Sequence, residues 1–162
     1  MDFEEVLGVL VGSGVELILI GGVAGFAHGS ARLTQDIDFV YRRNEENLMR
    51  LAEALKPHHP YLRGAPPGLP FKFDAETLKR GLNFTLTSDL GDIDLLGEVT
   101  GGGTYEDLAP QCEKLDVYGQ PVLCLTLPLL IATKRAAGRP KDFEAIAELE
   151  ALEEERRATG DL

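Results

Sequence analysis

The chain has 162 residues, 44% of them hydrophobic and 27% charged, and its formal net charge is −11. One hydrophobic core suits this length, so we expect a single domain over residues 1–162. No run approaches the roughly 20 apolar residues that span a bilayer, and the first five residues are acidic where a signal peptide is basic. We therefore predict a cytoplasmic protein without a membrane partner. The acidity argues against a general nucleic-acid coat, but not against a few basic residues in one cleft.

Helices and strands are predicted to alternate over the first quarter of the chain. An apolar stripe with helical spacing follows Asp2, and a nearly continuous run of branched residues then leads into Gly21-Gly22. The next strand alternates polar and apolar residues, and Asn44 is placed to cap the helix after it. In chain order we expect a helix over 2–12, a strand over 15–20, a short helix to 27, a strand over 36–41 and a helix over about 45–56.

The middle of the chain is less regular. Residues 57–70 contain five prolines, which predicts an irregular surface loop with either a binding role or a passive connecting role. Alternating segments predict strands over 71–73, 82–87 and 92–96, and the turn-forming residues 88–91 join the last two as a hairpin. The glycines at 101–103 predict a flexible break.

The last part of the chain predicts a strand pair followed by two helices. Strands over 114–118 and 121–125 meet at a Gly-Gln turn. Gly138 favours the end of one helix and Pro140 the start of the next, so we expect helices over about 127–137 and 140–157. The predicted domain therefore has a core of about 15–125 and C-terminal helices of about 127–157.

Paired aspartates are the strongest chemical signal in the sequence. Asp36 and Asp38 are two residues apart on one strand, so their side chains leave the same face a few ångströms from each other. Two such carboxylates repel unless a cation neutralises them, and a divalent cation with hard oxygen ligands does so economically. A third carboxylate from a neighbouring strand, Asp94 or Asp92, would complete a site for one or two Mg²⁺ ions. Such a site suits phosphoryl or nucleotidyl transfer.

Gly21-Gly22 supplies a complementary feature. Glycines at a strand-to-helix turn let the backbone approach a ligand, and the following helix presents free N–H groups to an anion. Each motif also has an ordinary structural interpretation: a glycine pair is usually a turn, an Asp-x-Asp strand can be a solvated edge, and Asp92 can serve only to shape the hairpin. Their occurrence together, in this order, favours the functional interpretation.

Basic residues near these motifs are candidates for contact with a phosphate. Arg32 precedes the aspartates, where its guanidinium can either grip a triphosphate or pair with a local acid. Lys134 continues the apolar stripe of its helix, so its side chain either extends to solvent or points into a cleft. We favour the cleft. Arg139 and Lys141 are expected at the surface or at a helix start. For His28 we favour a packed histidine over one that lines a nucleotide pocket.

The chain resembles the DNA polymerase beta-like nucleotidyltransferase superfamily, and within it the minimal nucleotidyltransferases and the abortive-infection toxin type. Two stretches carry the resemblance, Leu19-Ile20-Gly21-Gly22-Val23-Ala24 and Ala27-His28-Gly29-Ser30-Ala31-Arg32-Leu33-Thr34-Gln35-Asp36-Ile37-Asp38-Phe39. Ile93-Asp94-Leu95-Leu96 fits the third carboxylate of the family, and residues 130–142 resemble its C-terminal helical portion. The resemblance extends over about residues 15–150.

The resemblance implies an α/β (α+β) fold with a mixed β-sheet flanked by helices. It implies that Asp36, Asp38 and Asp94 are the catalytic and metal-binding residues, that two Mg²⁺ ions bind there, and that Gly21, Gly22, Arg32 and Lys134 bind the nucleotide. The enzyme would attach an NMP from an NTP, with ATP expected first, to an acceptor hydroxyl and release pyrophosphate. The toxin type further implies a cognate partner protein in a toxin–antitoxin system.

The acceptor and the activity itself stay open at this point. A protein hydroxyl, the 3′ end of an RNA and a small molecule all offer an attacking oxygen, and the acidity of the chain ranks a protein above RNA. Many family members carry Ser at the position of Gly22, where the hydroxyl assists phosphate binding, and this departure puts nucleotide affinity in question. A non-catalytic nucleotide- or partner-binding module and a metal-dependent nuclease are the alternatives.

Overall fold

The structure is a computed structural model that describes residues 2–160. Its main layer is a seven-stranded mixed β-sheet flanked by helices, which confirms the predicted fold class. The strands of this sheet lie in the order β3-β4-β5-β2-β1-β9-β8, and β6 and β7 form a separate two-stranded sheet. Within residues 2–160, no helix has the length and apolar character needed to cross a membrane.

The helices and strands occupy the following ranges. The helices are α1 Phe3–Gly12, α2 Gly21–Ala27, α3 Glu45–Leu55, α4 Ala75–Arg80, α5 Tyr105–Leu108, α6 Leu127–Ala137 and α7 Phe143–Thr159. The strands are β1 Leu17–Ile20, β2 Asp36–Tyr41, β3 Tyr61–Leu62, β4 Phe84–Thr87, β5 Asp92–Leu96, β6 Glu98–Val99, β7 Gly103–Thr104, β8 Cys112–Val117 and β9 Gln120–Leu125.

Local signals in the sequence explain the elements that were predicted. Asp2 caps α1 by accepting a hydrogen bond from the Glu5 N–H at 3.1 Å, and Asn44 caps α3 in the same way. Gly138 ends α6 with a φ of 63°, a left-handed conformation that favours glycine. The hairpins β4–β5 and β8–β9 are both antiparallel, as expected.

Two segments differ from the prediction. Residues 57–70 are not wholly irregular, because Tyr61–Leu62 forms an edge strand that pairs with β4. Residues 71–73, expected as a strand, form no regular element: Pro70 precedes them, and Asp74 caps a short helix, α4, that the sequence analysis missed. Phe71 and Phe73 pack against the core instead, so their alternation reflects partial burial without strand pairing.

The glycines at 101–103, expected as a flexible break, belong to a small hairpin. They connect and extend β6 and β7, and α5 follows directly with a capping box at Thr104. Gly101 and Gly103 have φ angles of 77° and 94°, which explains why glycine is used there. The last predicted helix begins with a 3-10 turn over Pro140–Asp142 and continues as α7.

The core lies along the central strands and determines which side chains face outward. All four residues of β1 are buried. In β2, Ile37 and Phe39 are fully buried, whereas Asp36 and Asp38 on the opposite face are only partly covered. Burying one face of β2 therefore presents both aspartates on the other.

Candidate functional site

Strand register brings the aspartates of two distant segments together. Strands β2 and β5 are parallel neighbours, with Asp36 opposite Asp92 and Asp38 opposite Asp94. Side chains two apart on a strand share a face, so both pairs stand on the same side of the sheet. The structure thus places Asp94 beside Asp38, where the sequence analysis expected a third carboxylate from a neighbouring strand.

Three of these carboxylates form a cluster that fits a divalent cation. Asp36, Asp38 and Asp94 each offer an oxygen, and the three oxygens lie within 4.8 Å of one another. The oxygens bound to one octahedral Mg²⁺ lie no more than about 4 Å apart, so the three carboxylates would draw together on binding one ion. The ligand set, carboxylate oxygens alone, is the one that hard cations such as Mg²⁺ prefer.

The surroundings make the charged form of Asp38 costly. Burial, followed by the negative charges of Asp36 and Asp94, raises its pKa to about 8, although the Lys134 ammonium acts in the opposite direction. Without a cation, Asp38 therefore carries a proton at neutral pH and relieves the repulsion. A bound divalent cation would replace that proton.

Both glycines of the turn are required by close packing. Because β1 runs antiparallel to β2, Ile20 lies opposite Asp38 and the turn meets the aspartates. Gly21 has a φ of 71°, and a Cβ at this position would collide with the Asp38 carboxylate. A Cβ on Gly22 would lie 2.8 Å from the Cβ of Thr34. The turn therefore needs glycines for the contact with the aspartate strand, whether or not a ligand also approaches.

Thr34 supports the first aspartate directly. Its hydroxyl lies 3.1 Å from Oδ1 and 3.2 Å from the carbonyl oxygen of Asp36 and donates to them. This contact orients the carboxylate from a loop residue just before β2, and it leaves Oδ2 of Asp36 available for other partners.

Arg63 is the residue near the cluster that the sequence analysis missed. It follows β3 in the proline-rich segment, and its Nη2 donates to Oδ1 of Asp94 at 2.7 Å. Its Nε lies 3.3 Å from Asp92, without hydrogen-bond geometry, and its Nη1 lies 3.8 Å from Asp36. One guanidinium therefore contacts carboxylates of both strands.

Lys134 reaches the cluster from α6, on the helix face that the sequence predicted to point inward. Only 12% of its side chain is exposed, and its Nζ lies 3.7 Å from Oδ1 of Asp142. Asp142 is itself buried and also accepts from Nε of Arg139 at 2.6 Å. Asp142 thereby holds two cationic side chains, those of Lys134 and Arg139, beside the cluster.

Arg32 lies at the rim of the same region. Its side chain is 44% exposed and pairs with Glu144 at 3.4 Å, an exposed contact that stabilises little. The guanidinium thus pairs with a local acid, one of the two interpretations from the sequence, and it also lines the cleft beside the aspartates. Its contact with a triphosphate stays a prediction.

Two clefts meet at the carboxylates. The first cleft has a volume of about 270 Å³ and is lined by the seven predicted catalytic and nucleotide-binding residues: Gly21, Gly22, Arg32, Asp36, Asp38, Asp94 and Lys134. Arg139 and Lys141, which were expected at the surface or at a helix start, also line it. The second cleft, of about 460 Å³, shares Gly21, Asp38, Asp94, Lys134 and Arg139 with the first. The shared residues form a ridge between the two clefts.

The residues particular to each cleft differ in charge. Outside the shared residues, the first cleft is lined by two cations, Arg32 and Lys141, and by two acids, Asp36 and Asp142, together with the short segment around Thr34. Apart from the shared residues, the described lining of the second cleft is uncharged: Ile20, Asn83, Phe84, Thr85, Leu95, Leu96, Val99, Thr100, Leu130, Thr133 and Ala137. Among the described lining residues, cations outside the ridge therefore occur only in the first cleft, where two acids accompany them.

His28 belongs to neither cleft. It is buried, its Nε2 lies 2.6 Å from the carbonyl oxygen of Leu125, and Arg156 donates to its Nδ1 at 3.2 Å. Burial lowers its pKa, so the ring is neutral and donates to Leu125. The structure thus shows a packed histidine that connects α2 with β9 and α7.

Comparison with known proteins bears on the fold. A solved structure from Thermotoga maritima, described as a "putative nucleotidyltransferase", superposes with a TM-score of 0.50 and 13% sequence identity over 98% of this chain and 90% of that chain. The two proteins share a fold. No known protein family matches the sequence, and no curated protein matches it. At this identity the likeness supports the nucleotidyltransferase-like architecture that the motifs predicted and does not by itself assign an activity.

Proposed function

We propose that this protein is a Mg²⁺-dependent nucleotidyltransferase that moves an NMP from an NTP to an acceptor hydroxyl. The observation that carries the proposal is the convergence of Asp36, Asp38 and Asp94 where two clefts meet, with Asp38 and Asp94 lining both clefts. A transferase of this kind needs a metal-binding carboxylate cluster with a polyphosphate on one side and an acceptor on the other. The shared fold is consistent with this assignment.

The three aspartates would hold the metal, with two Mg²⁺ ions proposed from the family resemblance. When bound, Mg²⁺ would neutralise the triphosphate charge and increase the reactivity of the α-phosphate. Thr34 orients Asp36, and the close approach of the Gly21 backbone keeps Asp38 in place. The chain thus supplies a positioned ligand set, which accounts for much of the rate in phosphoryl transfer.

The triphosphate is assigned to the first cleft, with ATP as the expected nucleotide. Gly21 and Gly22 line this cleft, and Arg32 and Lys134 provide positive charge there. Arg32 is free to change its partner because its contact with Glu144 is exposed, whereas Lys134 pairs with Asp142 and lies close enough to Asp38 to oppose the rise of its pKa.

The acceptor is assigned to the second cleft, where Asp94 would take the hydroxyl proton. The acceptor oxygen would bond to the α-phosphorus while the bond to the bridging oxygen breaks and pyrophosphate leaves. The uncharged lining offers no further cation for a phosphate backbone, so a hydroxyl on a protein side chain ranks above an RNA 3′ end, and a small molecule stays an alternative. A cytoplasmic toxin–antitoxin role with a cognate partner protein is the cellular setting that the toxin-type resemblance favours.

A second candidate function also has an observation in its favour. Arg63 and Lys134 already neutralise part of the cluster from within the chain. A non-catalytic nucleotide- or partner-binding module could keep such a cluster without using metal.

Incubation with α-labelled NTPs, Mg²⁺ and a cell lysate separates these functions. A transferase attaches label to an acceptor and releases pyrophosphate, a nuclease cleaves nucleic acid without NTP, and a binding module does neither. Asp36→Asn should abolish the labelling. Asp89→Asn, the same change at an exposed position outside both clefts, should leave it intact. Equal labelling by wild type and Asp36→Asn would exclude the assigned site.

A further inference from the structure

Arg63 reaches the carboxylate cluster from a segment that the sequence does not link to it. The residue lies in the proline-rich stretch after the edge strand β3, and its side chain extends past β4 to the aspartates of β5 and β2. Only 27% of the side chain is exposed. Neither the fold likeness nor the proposed transfer assigns a role to it.

The guanidinium is held in place by the backbone as well as by the carboxylates. The Arg63 N–H donates to the carbonyl oxygen of Thr85 at 3.0 Å, which continues the β3–β4 pairing. Its Nη2 donates to the carbonyl oxygen of Leu86 at 2.8 Å and to Asp94 at 2.7 Å. These contacts fix the positive charge at one position, unlike an exposed arginine that changes rotamers freely.

The contacts of Arg63 leave part of the cluster open. On Asp94 the guanidinium hydrogen-bonds only to Oδ1, and the carboxylate also interacts with the side chain of Asp38, whose proton a bound cation would replace. On Asp36 the nearest approach is 3.8 Å, longer than a hydrogen bond. Arg63 and a divalent cation can therefore occupy the cluster together, with the guanidinium on its Asp92 side.

We propose that Arg63 is a fixed internal counter-ion, a positioning residue that holds Asp94 in the metal-free protein and lowers the affinity of the cluster for divalent cations. The proposal rests on the metal site of the proposed function. Parallel strands in register place Asp92 and Asp94 beside Asp36 and Asp38, and Arg63 partly offsets their repulsion. The same positive charge repels an incoming divalent cation.

Metal binding by the chelator-treated protein tests this inference without any measurement of activity. The probe is Mn²⁺, titrated calorimetrically into wild type, Arg63→Gln and Arg63→Lys. Glutamine keeps an N–H donor but removes the charge, and we expect it to bind Mn²⁺ at least about tenfold more tightly, because a unit charge within several ångströms of a divalent ion opposes it. Lysine keeps the charge and should bind with nearly the wild-type affinity.

Thermal unfolding gives an independent readout. Metal-free Arg63→Gln should unfold at a lower temperature than wild type, and saturating Mn²⁺ should raise its unfolding temperature by more than it raises that of wild type. Arg80→Gln is the matched control: it makes the same change in net charge at an exposed residue paired with Glu76, away from the cluster. It should match wild type in both measurements.

The outcomes separate this inference from the proposed function. Equal or weaker Mn²⁺ binding by Arg63→Gln overturns the counter-ion role, even if the wild-type site binds metal. Loss of binding when Asp38→Asn is added to Arg63→Gln would show that the gain arises at the cluster, and persistence of the gain would place it elsewhere and overturn the inference. If no variant binds Mn²⁺, both the inference and the metal site fail.

Discussion

The two clefts share a ridge that includes Asp38 and Asp94, but the residues that line only one of them differ in charge. The first cleft adds charged residues of both signs, the cations Arg32 and Lys141 and the acids Asp36 and Asp142. The second adds only uncharged residues, which belong mostly to β4, β5, the β6–β7 hairpin and α6. Under the proposed function, the triphosphate would use the cations of the first cleft, and the acceptor would meet an uncharged surface in the second. For the proposed transfer, the two substrates would therefore be distinguished by the elements around the aspartates and not by the aspartates themselves.

The largest expected effect comes from breaking the ridge itself. Asp38→Asn should reduce nucleotide transfer by at least about 1000-fold, because it removes a metal ligand and leaves the other two carboxylates without the cation they need. Mn²⁺ binding and NTP binding should be lost with it. Circular dichroism should show an intact fold, and transfer within about tenfold of wild type would refute the ridge as the reaction centre.

A smaller effect is expected from the loss of a cationic side chain beside the aspartates. Lys134→Met should weaken NTP binding by roughly 10–100-fold, since a largely buried ammonium at the cluster interacts with the triphosphate in a low dielectric. The measurement is a nucleotide titration in the presence of Mg²⁺. The neighbouring Arg135→Met removes an exposed charge on the same helix and should change the affinity by less than about twofold. Equal effects of the two variants would contradict the assignment.

The protonation of Asp38 should make the free energy of unfolding depend on pH. Because the pKa of Asp38 is raised to about 8, the folded state binds this proton more tightly than the unfolded state does. The Asp38 contribution to the unfolding free energy is therefore fully present below about pH 4 and is lost as the pH rises through about 8. In chelator at pH 9, Asp38→Asn should be more stable than wild type by about 1–2 kcal/mol in urea denaturation.

The same comparison at pH 4.5 provides the control for that prediction. There the wild-type carboxyl is protonated, so the stability advantage of Asp38→Asn should shrink or disappear. A difference between the two proteins that is independent of pH would mean that Asp38 stays charged in the folded protein.

The smallest effect is expected from substitutions in the second cleft. Thr100 is exposed and lines this cleft between β6 and β7. For an uncharged acceptor, Thr100→Lys and Thr100→Glu should each lower acceptor labelling by roughly 3–10-fold, because both introduce a charge that must be desolvated. Their NTP affinities should stay within about twofold of wild type. Opposite effects of the two charges would instead identify a charged acceptor, and a gain for lysine would favour RNA.

Local periodicity was sufficient to find much of the candidate site. The alternation of Asp36 to Tyr41 predicted a strand with two carboxylates on one face, and the structure has that strand and that face. The stripe that includes Lys134 likewise predicted an inward lysine. In contrast, the alternation of residues 71–73 predicted a strand that does not exist, because three residues after a proline cannot reveal whether a pairing partner is available.

Arg63 shows where sequence reasoning stops. Its contacts lie 31 residues away at Asp94, and no spacing in the sequence links the two. The signal that could have drawn attention to it was general: a cation inside a proline-rich segment for which a binding role had been considered. The contact depends on β3 pairing with β4 and on β4 lying next to β5.

The sequence by itself determined the helices and strands with strong local signals and the face on which each side chain projects, because capping and the two periodicities depend only on neighbouring residues. Tertiary structure decided the register that sets Asp94 beside Asp38, the raised pKa, the counter-ion Arg63 and the contrast between the clefts. Each of these arises from burial and from distances between segments remote in the chain. Such distances are set by the order of strands in the sheet, which local patterns do not encode.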